Sequence, residues 1–398
     1  MYKEEIIEFL SNYGISPYLS NLISSGVIIL LISIIVVIIN FITRRIILSF
    51  FKRIARSTSS TFDDLLIKIK DFVKTGDFTL GKPLVEFEKK FAKLMGVKYA
   101  IGVNSGTDAI KLSLKALGIK SGDEIITAAN TFVATVGAIN ELGAKPVFVD
   151  CNNTFCMNVD LVERAITKKT KAIVPVHFTG YMTDMIKLKK ISKKYNIPIV
   201  EDACQSILAS QNKYIAGTIG STGCFSLHPL KNLNVWSDGG VIITNNSKLN
   251  KDLKLLRNHG LISRDEIEIM GYNSRLDTIQ AVVGNWLIPQ TKKISSKRIS
   301  NAKYYDKSFS KIPQITIPPR PKGMRIVYHL YVVFAKNRDK LLDFCHKKNI
   351  EAKIHYPIPL YQQKALKFLS YKKGSLYVIG YDTKYVILAS ILLDFATL

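Results

Sequence analysis

The chain has few cysteines and histidines, and their spacing does not suit a metal site. Its five cysteines include no Cys-x-x-Cys pair, and its six histidines include no His-x-x-x-His pair. These absences exclude the common zinc motifs. They also favour reduced thiols in a cytosolic domain over a disulfide framework.

Acidic residues are scarce as well, with 31 Asp and Glu against 56 Lys and Arg and a net charge of +25. Such an excess of positive charge favours an anionic partner, such as a membrane surface or a diphosphate substrate. Because lysine is spread along the whole chain, part of the excess reflects general lysine usage. About 330 residues beyond the apolar N-terminal region are enough for one large domain and a smaller one.

One long hydrophobic run lies near the N-terminus. Leu22–Ile42 has 21 residues, mostly Ile, Leu and Val, and no charge, which is long enough to span a bilayer core of about 30 Å. A buried soluble helix fits this length and purity less well. A cleaved signal peptide also fits less well, because the run starts late and precedes no small-residue cleavage site. Basic residues after the run predict a single-pass protein of the cytoplasmic membrane whose remaining chain is cytoplasmic.

The next segment, residues 43–69, begins with basic side chains interleaved with apolar ones. This pattern is typical of an amphipathic segment on an anionic membrane surface. Nucleic acid is the rival partner of any basic patch, but the adjacent spanning run disfavours it. Residues 40–66 also resemble the last part of the membrane region of small-conductance mechanosensitive channels, although no channel soluble domain follows. This resemblance suggests a fusion with a junction near Asp64–Phe72.

The most informative motif is the run of residues 223–236, which contains Lys231. An apolar, strand-like stretch ends there in a Ser, a His-Pro turn and one lysine. A lysine just past a buried strand end loses solvation, which favours its neutral, nucleophilic form. Such a lysine can hold pyridoxal phosphate (PLP) as a Schiff base. Taken alone, a loop lysine is more often solvated and inert, so this interpretation depends on the motifs that accompany it.

Three other motifs accompany Lys231. Asp202 follows an apolar run, so it points into the crevice where open α/β sheets bind ligands, and it suits a protonated pyridine nitrogen. Gly106 and Thr107 lie between a predicted strand and a predicted helix, where their amides form a phosphate cradle at the helix N-terminus. Phe132 offers an aromatic face to a planar ring, although such a residue is more often core. Each motif alone is weak, and together, in this order, they are specific.

Apolar runs that alternate with helix-like stretches predict a doubly wound α/β fold. The predicted strands lie at residues 99–103, 124–127, 146–149, 172–176 and 197–200. The predicted helices lie at residues 83–95, 108–117 and 184–195.

Eight motifs then point to a known family. They are Phe78-Thr-Leu-Gly-Lys-Pro, Asn104-Ser-Gly-Thr-Asp-Ala, Thr131-Phe-Val-Ala-Thr, Glu201-Asp-Ala-Cys-Gln-Ser, Phe225-Ser-Leu-His-Pro-Leu-Lys-Asn-Leu, Arg257-Asn-His-Gly, Tyr272-Asn-Ser-Arg-Leu-Asp and Ile354-His-Tyr-Pro-Ile-Pro-Leu. On these motifs, residues 78–374 resemble the DegT/DnrJ/EryC1/StrS group of PLP-dependent nucleotide-sugar aminotransferases of fold type I. The resemblance implies a large domain with a mainly parallel sheet, a smaller C-terminal α+β domain and a homodimer.

The resemblance also implies roles for particular residues. Lys231 corresponds to the Schiff-base lysine and Asp202 to the partner of the pyridine nitrogen, and both are implied to be catalytic. The further cofactor contacts that it implies are Gly106, Thr107, Phe132, Gln205, Ser226 and, from the partner subunit, Asn273. The substrate contacts that it implies are Arg275, His329, His355 and Tyr356. Arg275, like Asn273, is implied to belong to a loop that reaches into the neighbouring subunit's site.

The implied reaction is transamination of a nucleotide-linked keto-sugar, with L-glutamate as the amino donor and a dTDP-keto-6-deoxyhexose as the preferred acceptor. Sugar dehydratases of the same group carry His in place of the lysine, so Lys231 favours transamination. The aminated product would serve amino-sugar and surface polysaccharide biosynthesis.

The expected organisation has six parts. They are an extracytoplasmic segment (1–21), a transmembrane helix (22–42), a basic amphipathic linker (43–69), a PLP-binding large domain (70–290), a small C-terminal domain (291–374) and an atypical tail (375–398). The tail is apolar and does not resemble the family's ending. Ser237 stands where the family usually has Gly, which costs about 1 kcal/mol if the position needs a positive φ. These departures leave a second hypothesis open, a non-catalytic fusion or truncated pseudoenzyme tethered to the membrane.

Overall fold

The structure is a computed structural model that describes residues 2–57, 61–372, 376 and 387–389. The chain divides into two compact units, the first ending at Ile67 and the second beginning at Lys68. This boundary falls within one helix, α3 (Thr61–Val73).

The first unit contains two helices ahead of α3, namely α1 (Tyr2–Asn12) and α2 (Pro17–Ser57). A turn at Gly14, whose φ of 81° suits a residue without a Cβ, joins them. Within α2, Pro17–Thr43 is long and apolar enough to cross a bilayer, judged by length and composition alone. The helix continues well past this stretch, so the first part of the predicted basic linker is helical.

The second unit alternates helices and strands. Its helices after α3 are α4 (Lys82–Met95), α5 (Gly106–Ala116), α6 (Val133–Glu141), α7 (Val162–Ala165), α8 (Met185–Tyr195), α9 (Ser247–Leu256), α10 (Thr278–Leu287), α11 (Thr291–Phe309) and α12 (Arg338–Lys347). Its strands are β1 (Tyr99–Val103), β2 (Glu124–Ala128), β3 (Lys145–Val149), β4 (Thr170–Val174), β5 (Val200–Asp202), β6 (Ser210–Gln211), β7 (Tyr214–Ile215), β8 (Thr222–Ser226), β9 (Gly240–Thr244), β10 (Ile315–Thr316), β11 (Met324–Arg325), β12 (Tyr331–Ala335), β13 (Ala352–Lys353) and β14 (Ile387–Ala389).

Seven strands build a central sheet in the order β3-β2-β4-β5-β8-β9-β1. Two hydrogen-bonded groups, β3-β2-β4 and β5-β8-β9-β1, are joined by parallel bridges from Ile173 to Ile199 and from Val176 to Asp202. All neighbours are parallel except β9, which runs antiparallel to both β8 and β1. The carboxyl ends of the parallel strands therefore share one edge, where α/β sheets bind ligands.

Apolar side chains cover both faces of this sheet, because neighbouring residues of a strand point to opposite faces. On β2, Ile126 belongs to a buried cluster with α4 and α10, whereas Ile125 belongs to a second cluster with α5 and α9. Ile243 and Ile242 of β9 divide in the same way. This layered arrangement agrees with the predicted doubly wound fold.

Local sequence signals explain where α4 and α5 begin and end. Pro83 lies in the first turn of α4, where a missing N–H is harmless, and Gly96 ends the helix with a left-handed φ of 69°. Ser105 caps α5 by accepting a hydrogen bond from the Asp108 N–H at 3.1 Å. The predicted start of α5 was two residues late, because this cap places Gly106 in the first turn.

A smaller sheet forms near the C-terminal end, in the order β10-β12-β14-β13 with antiparallel pairing. β14 (Ile387–Ala389) belongs to the segment predicted to be an atypical tail. It pairs with β12 on one side and β13 on the other. The rest of the predicted tail, apart from Leu376, lies outside the described residues.

Candidate active site

Lys231 lies in the loop after β8, at the carboxyl edge of the central sheet. Its backbone N–H donates to the His228 carbonyl at 2.8 Å, which closes the His-Pro turn. The side chain is half-buried. Burial lowers the pKa of Lys231 below its ordinary value, and the charges of Cys204 and Asp202 offset only part of this effect. The larger neutral fraction makes the amine a better nucleophile at a given pH.

Asp202, the last residue of β5, is 5% exposed. Its Oδ2 accepts a hydrogen bond from Thr135 Oγ1 at 2.8 Å, and its Oδ1 accepts one from the Cys204 N–H at 3.2 Å. Among the described residues, no Lys, Arg or His forms an ion pair with this carboxylate. Because a buried carboxylate without a cation is costly, Asp202 suits a positively charged group such as a protonated pyridine nitrogen.

The start of α5 lies directly against the end of β8. A Cβ added to Gly106 would lie 2.8 Å from the Ser226 Cβ, so the close approach requires glycine. The backbone N–H groups at Gly106 and Thr107 have no partner within the helix, and the helix dipole is positive at this end. The Ser226 hydroxyl adds a further polar group beside them. This cradle suits a phosphate group.

Two further residues predicted to contact the cofactor border this region. Phe132 directly precedes α6 and is 51% exposed, so part of its ring is available for stacking. Its centroid lies 5.8 Å from that of Tyr356. Gln205 is buried, and its Oε1 accepts a hydrogen bond from the Thr179 N–H at 2.7 Å. Because Oε1 is used in this way, the predicted contact of Gln205 with the cofactor would be made by its amide nitrogen.

These features fit PLP group by group. The aldehyde of PLP reacts with a nucleophilic amine. Its protonated pyridine nitrogen pairs with a carboxylate that forms no other ion pair, and its phosphate binds the free N–H groups at the start of a helix. Lys231, Asp202 and the Gly106 cradle provide these in one crevice.

Comparisons with known proteins decide the family. The model of the DegT/DnrJ/EryC1/StrS aminotransferase family matches residues 62–378. The chain belongs to this family. It is 37% identical over 303 residues to the UDP-N-acetyl-3-dehydro-alpha-D-glucosamine 3-aminotransferase of Acidithiobacillus ferrooxidans, covering 76% of this chain and 82% of that protein.

Two further relatives have similar coverage. The dTDP-3-amino-3,6-dideoxy-alpha-D-galactopyranose transaminase of Aneurinibacillus thermoaerophilus is 38% identical over 294 residues, which are 74% of this chain and 81% of that protein. The crystal structure of S. venezuelae DesV superposes with a TM-score of 0.80 at 33% identity, covering 82% of this chain and 88% of that one. The protein is therefore a PLP-dependent sugar aminotransferase of fold type I, as predicted.

In this aminotransferase, Asn273 and Arg275 line a cavity of about 290 Å³ next to the start of α5. Arg275 Nη1 donates to Asn258 Oδ1 at 3.1 Å, and its backbone bridges to Val103. The remaining lining residues are Phe78, Thr79, Leu80, Asn104, Leu276 and Asp277. The contribution of Asn273 and Arg275 to a partner subunit's site stays a prediction.

The predicted substrate-contacting histidines lie within electrostatic reach of Lys231. Burial lowers the pKa of His329 well below its usual value, and the positive charges of Lys231 and Arg298 lower it further. Burial, with help from Lys231, lowers the pKa of His355 to about 4. The His355 and Tyr356 rings are adjacent, with centroids 4.4 Å apart. Both imidazoles are therefore neutral at physiological pH.

Thr135 has no role predicted from the sequence, yet its hydroxyl donates a hydrogen bond to the Asp202 carboxylate. Thr135 also hydrogen-bonds to Thr131, with 2.8 Å between the two hydroxyls. The spacing of four residues was a usable signal, because it puts both hydroxyls on one side of a helix start. The partner carboxylate lies 67 residues away in the chain, so only the fold reveals the contact.

Proposed function

We propose that this aminotransferase moves an amino group from L-glutamate to a nucleotide-linked 3-keto-sugar, preferably a dTDP-3-keto-6-deoxyhexose. The product would serve amino-sugar and surface polysaccharide synthesis. The observation that carries the proposal is the buried Asp202 carboxylate, which forms no ion pair among the described residues and lies at the same sheet edge as Lys231, within reach of its charge. A site built for transamination needs both groups.

The roles of the residues follow from this arrangement. When bound, PLP supplies an electron sink that stabilises negative charge at the donor's α-carbon. The Lys231 amine would hold the cofactor and would accept and return the proton at the donor's α-carbon. Asp202, which accepts a hydrogen bond from Thr135, would supply the negative charge that favours a protonated ring nitrogen. The second carboxyl oxygen of Asp202 is held by the Cys204 N–H, which fixes the carboxylate plane.

The remaining predicted contacts bind and orient. Gly106, Thr107 and Ser226 would bind the phosphate, and Phe132 and Gln205 would contact the ring of the cofactor. Asn273 and Arg275 serve the site of a second subunit, and His329, His355 and Tyr356 border the sugar. A homodimer is supported by the exposed Leu230 and Trp236 side chains near Lys231, which a second copy would cover.

The names of the relatives support the position of amination. The Acidithiobacillus protein is named a 3-aminotransferase, and the Aneurinibacillus protein is named for a 3-amino sugar. One name carries UDP and the other dTDP, so the nucleotide is the less constrained part of the proposal. Position 3 of the sugar is the feature that these names share, and it supports a 3-keto group on the acceptor.

We also propose that Pro17–Thr43 anchors the enzyme in the cytoplasmic membrane with its catalytic unit in the cytoplasm. Support comes from the length and composition of this stretch and from the basic residues that follow it. PLP, glutamate and nucleotide sugars are cytoplasmic compounds. The resemblance to a mechanosensitive channel segment, at residues 40–66, would then concern only the end of the anchor and the basic segment that follows it.

Two observations speak against the alternative of a non-catalytic fusion product. Ser237 does not have a positive φ, so the strain expected there does not arise. Residues of the unusual tail form β14, which pairs on both sides within the smaller sheet. Neither Ser237 nor the described β14 strand therefore supports a damaged site.

The proposal is tested by the visible spectrum of the purified full chain with PLP, before and after L-glutamate, beside Lys231→Ala. We expect a bound-cofactor band that glutamate bleaches and that the variant lacks. Mass spectrometry of a panel of dTDP- and UDP-linked 3-keto and 4-keto sugars then identifies the acceptor. A wild-type band that glutamate leaves unchanged would refute transamination, and amination only of 4-keto sugars would refute the proposed position.

A further inference from the structure

Helix α11 has an unusual buried stripe. Its buried residues are Thr291, Ser295, Arg298 and Ala302, whereas the core-facing stripe of a helix is normally apolar. Arg298 is 8% exposed, and no carboxylate among the described residues forms an ion pair with it. A guanidinium is rarely buried without such a partner, because an unpaired buried charge is costly. Packing alone does not explain this residue.

Arg298 instead binds two backbone carbonyls. Its Nη1 donates to the Tyr328 carbonyl at 3.2 Å and to the His329 carbonyl at 3.1 Å. Both belong to residues 327–330, which we call the strap, directly before β12. The strap is strained, because Tyr328 has a φ of 48°, in the left-handed region that side chains disfavour. Such a conformation persists only when its surroundings hold it.

Two more anchors hold the strap from the side of the cofactor site. The Val327 N–H donates to the Gly180 carbonyl at 3.1 Å, and the Val327 carbonyl accepts a hydrogen bond from Asn232 Nδ2 at 2.9 Å. Asn232 is the residue after Lys231. A Cβ on Gly180 would lie 2.5 Å from the Tyr328 nitrogen, so the backbone of the strap packs directly against the backbone at Gly180. Arg298 thus fixes one side of a strap whose other side adjoins the lysine loop.

The strap carries His329, which is buried and whose Nδ1 has no partner among the described residues. The charged and titratable groups that act on it are Lys231, Arg298, His355 and His228. None of them is an anion, so the surroundings favour a neutral imidazole with an open ring nitrogen.

We propose that Arg298 is a positioning residue for transamination, which holds the strap, and with it the His329 imidazole, against the loop that carries Lys231. The proposal rests on the proposed role of Lys231. Arg298 acts in two separable ways: its paired hydrogen bonds fix the backbone, and its charge disfavours a proton on His329. Loss of either one should change proton movement at Lys231 more than sugar binding.

Two variants of the full chain separate these effects. Arg298→Lys keeps the charge and loses the planar fork, whereas Arg298→Gln keeps a donor and loses the charge. Lys293→Met, on the exposed face of the same helix, removes a positive charge without touching the strap and serves as the control. Before PLP is added, hydrogen exchange at Val327 and Leu330 reports the strap. Carbon-13 NMR of labelled histidine, assigned with His329→Gln, reports the imidazole.

We expect both Arg298 variants to exchange faster at Val327 and Leu330. Only Arg298→Gln should let His329 titrate at higher pH, because one of the positive charges that oppose its protonation is gone. With PLP and glutamate, kcat should fall by on the order of tenfold to 100-fold in both variants, as for other small misplacements, while KM for the sugar changes little. The acid limb of kcat should move to higher pH in Arg298→Gln alone.

Three outcomes would overturn the proposal. Unchanged exchange and unchanged His329 titration in Arg298→Gln would make Arg298 a core residue only. Faster exchange throughout the second unit, with kcat and KM altered together, would show general destabilisation. A normal kcat despite a mobile strap would show that positioning does not matter. Failure of the proposed function is seen separately, as a glutamate reaction that survives in Lys231→Ala.

Discussion

The negative charge of Asp202, rather than the size of its side chain, is expected to be what the cofactor site needs. Asp202→Asn keeps the size of the side chain and an acceptor for Thr135, but it removes the negative charge. We expect the rate of the glutamate half-reaction to fall by about 100-fold or more, in the range seen when one electrostatic group of a site is lost. Rapid-mixing absorbance measures this rate.

The matched control for this change is Thr135→Val, which leaves the charge and removes one hydrogen bond at 2.8 Å. A loss of about 1 kcal/mol, or roughly fivefold, is the expected effect. An Asp202→Asn rate within twofold of the wild type would contradict the assigned role.

Lys231 offers a second prediction at this scale, because burial lowers its pKa. The neutral amine exists above the pKa, so a lowered pKa moves the onset of reactivity to lower pH. In the PLP-free protein, Lys231 should react with acetic anhydride at a lower pH than the exposed Lys322, as measured by peptide mass spectrometry. Equal midpoints for the two lysines would show that the lysine loop is open to water.

How far the sequence reveals single residues depends on how local their signals are. Lys231 and Gly106 lie in motifs that indicate both the residue and its place beside a strand or helix end, so the sequence alone predicts both as site residues. Thr135 and Arg298 act on groups that are distant in the chain, and their own neighbours do not mark them. Arg298 in particular looks like one more basic residue of a lysine-rich helix.

At the scale of elements, the start of β9 supports the phosphate cradle. Gly240 pairs with Val103 on one side and Ser226 on the other. A Cβ there would lie 2.2 Å from the Ser105 carbonyl oxygen, which is too close for any side chain. We expect Gly240→Ala to push Ser105 and Gly106 outward and to weaken PLP binding by about 1–3 kcal/mol.

A spectroscopic titration with PLP measures that affinity. Gly137→Ala in α6 is the matched control, because nothing lies within 4 Å of its added Cβ. An unchanged PLP affinity in Gly240→Ala would show that the start of β9 does not support the phosphate cradle.

A buried ion pair fastens α4 to the sheet. Glu88 accepts a hydrogen bond from the Gly102 N–H at 2.8 Å, and Arg257 donates to the Gly102 carbonyl at 2.8 Å and to Glu88. Glu88→Gln leaves a buried guanidinium without its counter-charge, so the free energy of unfolding should fall by about 3–5 kcal/mol. The urea midpoint, followed by near-ultraviolet circular dichroism, measures the loss.

The control for this pair lies on the same helix. Glu86 pairs with Lys90 on the exposed face, so Glu86→Gln should change stability by about 0.5 kcal/mol or less. Equal effects of the two substitutions would show that Glu88 is open to solvent.

Helices and strands were predictable where the spacing of apolar residues agrees with the Pro and Gly residues that mark their ends. Helix α4 combines apolar residues at helical spacing with Pro83 and Gly96, and its predicted bounds are nearly correct. The strand expected at residues 197–200 lies instead at Val200–Asp202, because its apolar run begins before the hydrogen bonds to β8 do. The continuation of α2 through its basic end was not predicted, since charge patterning there indicated an amphipathic segment without fixing its structure.

At the scale of the whole molecule, sheet order was the least predictable feature. Which strands become neighbours depends on long-range packing, and nothing local to β9 marks it as the one antiparallel strand of the central sheet. The short β14 strand was unpredictable for the same reason, because its three residues form a strand only by pairing with β12 and β13. By contrast, the family match runs from residue 62 to residue 378, so it begins inside the segment, residues 43–69, that was predicted to be a basic linker.

The membrane anchor is the prediction that concerns the chain as a whole. If Pro17–Thr43 spans the bilayer, the full chain should stay with membranes during alkaline carbonate extraction. Replacing both Ile34 and Ile35 by Arg, near the centre of the stretch, adds about 2.5–3.5 kcal/mol per residue to the cost of insertion and should release the protein. The matched control replaces both by Leu, which should leave extraction unchanged.

Orientation gives the sharper test, because it joins the anchor to the chemistry. In spheroplasts, an impermeant amine reagent should label Lys3 and spare Lys322, since the positive residues after the span keep the catalytic unit inside. Labelling of Lys322 in intact spheroplasts would place the second unit outside, away from the nucleotide sugars and PLP that the site requires. The proposed substrate and the proposed anchor would then be incompatible, so this one experiment constrains both.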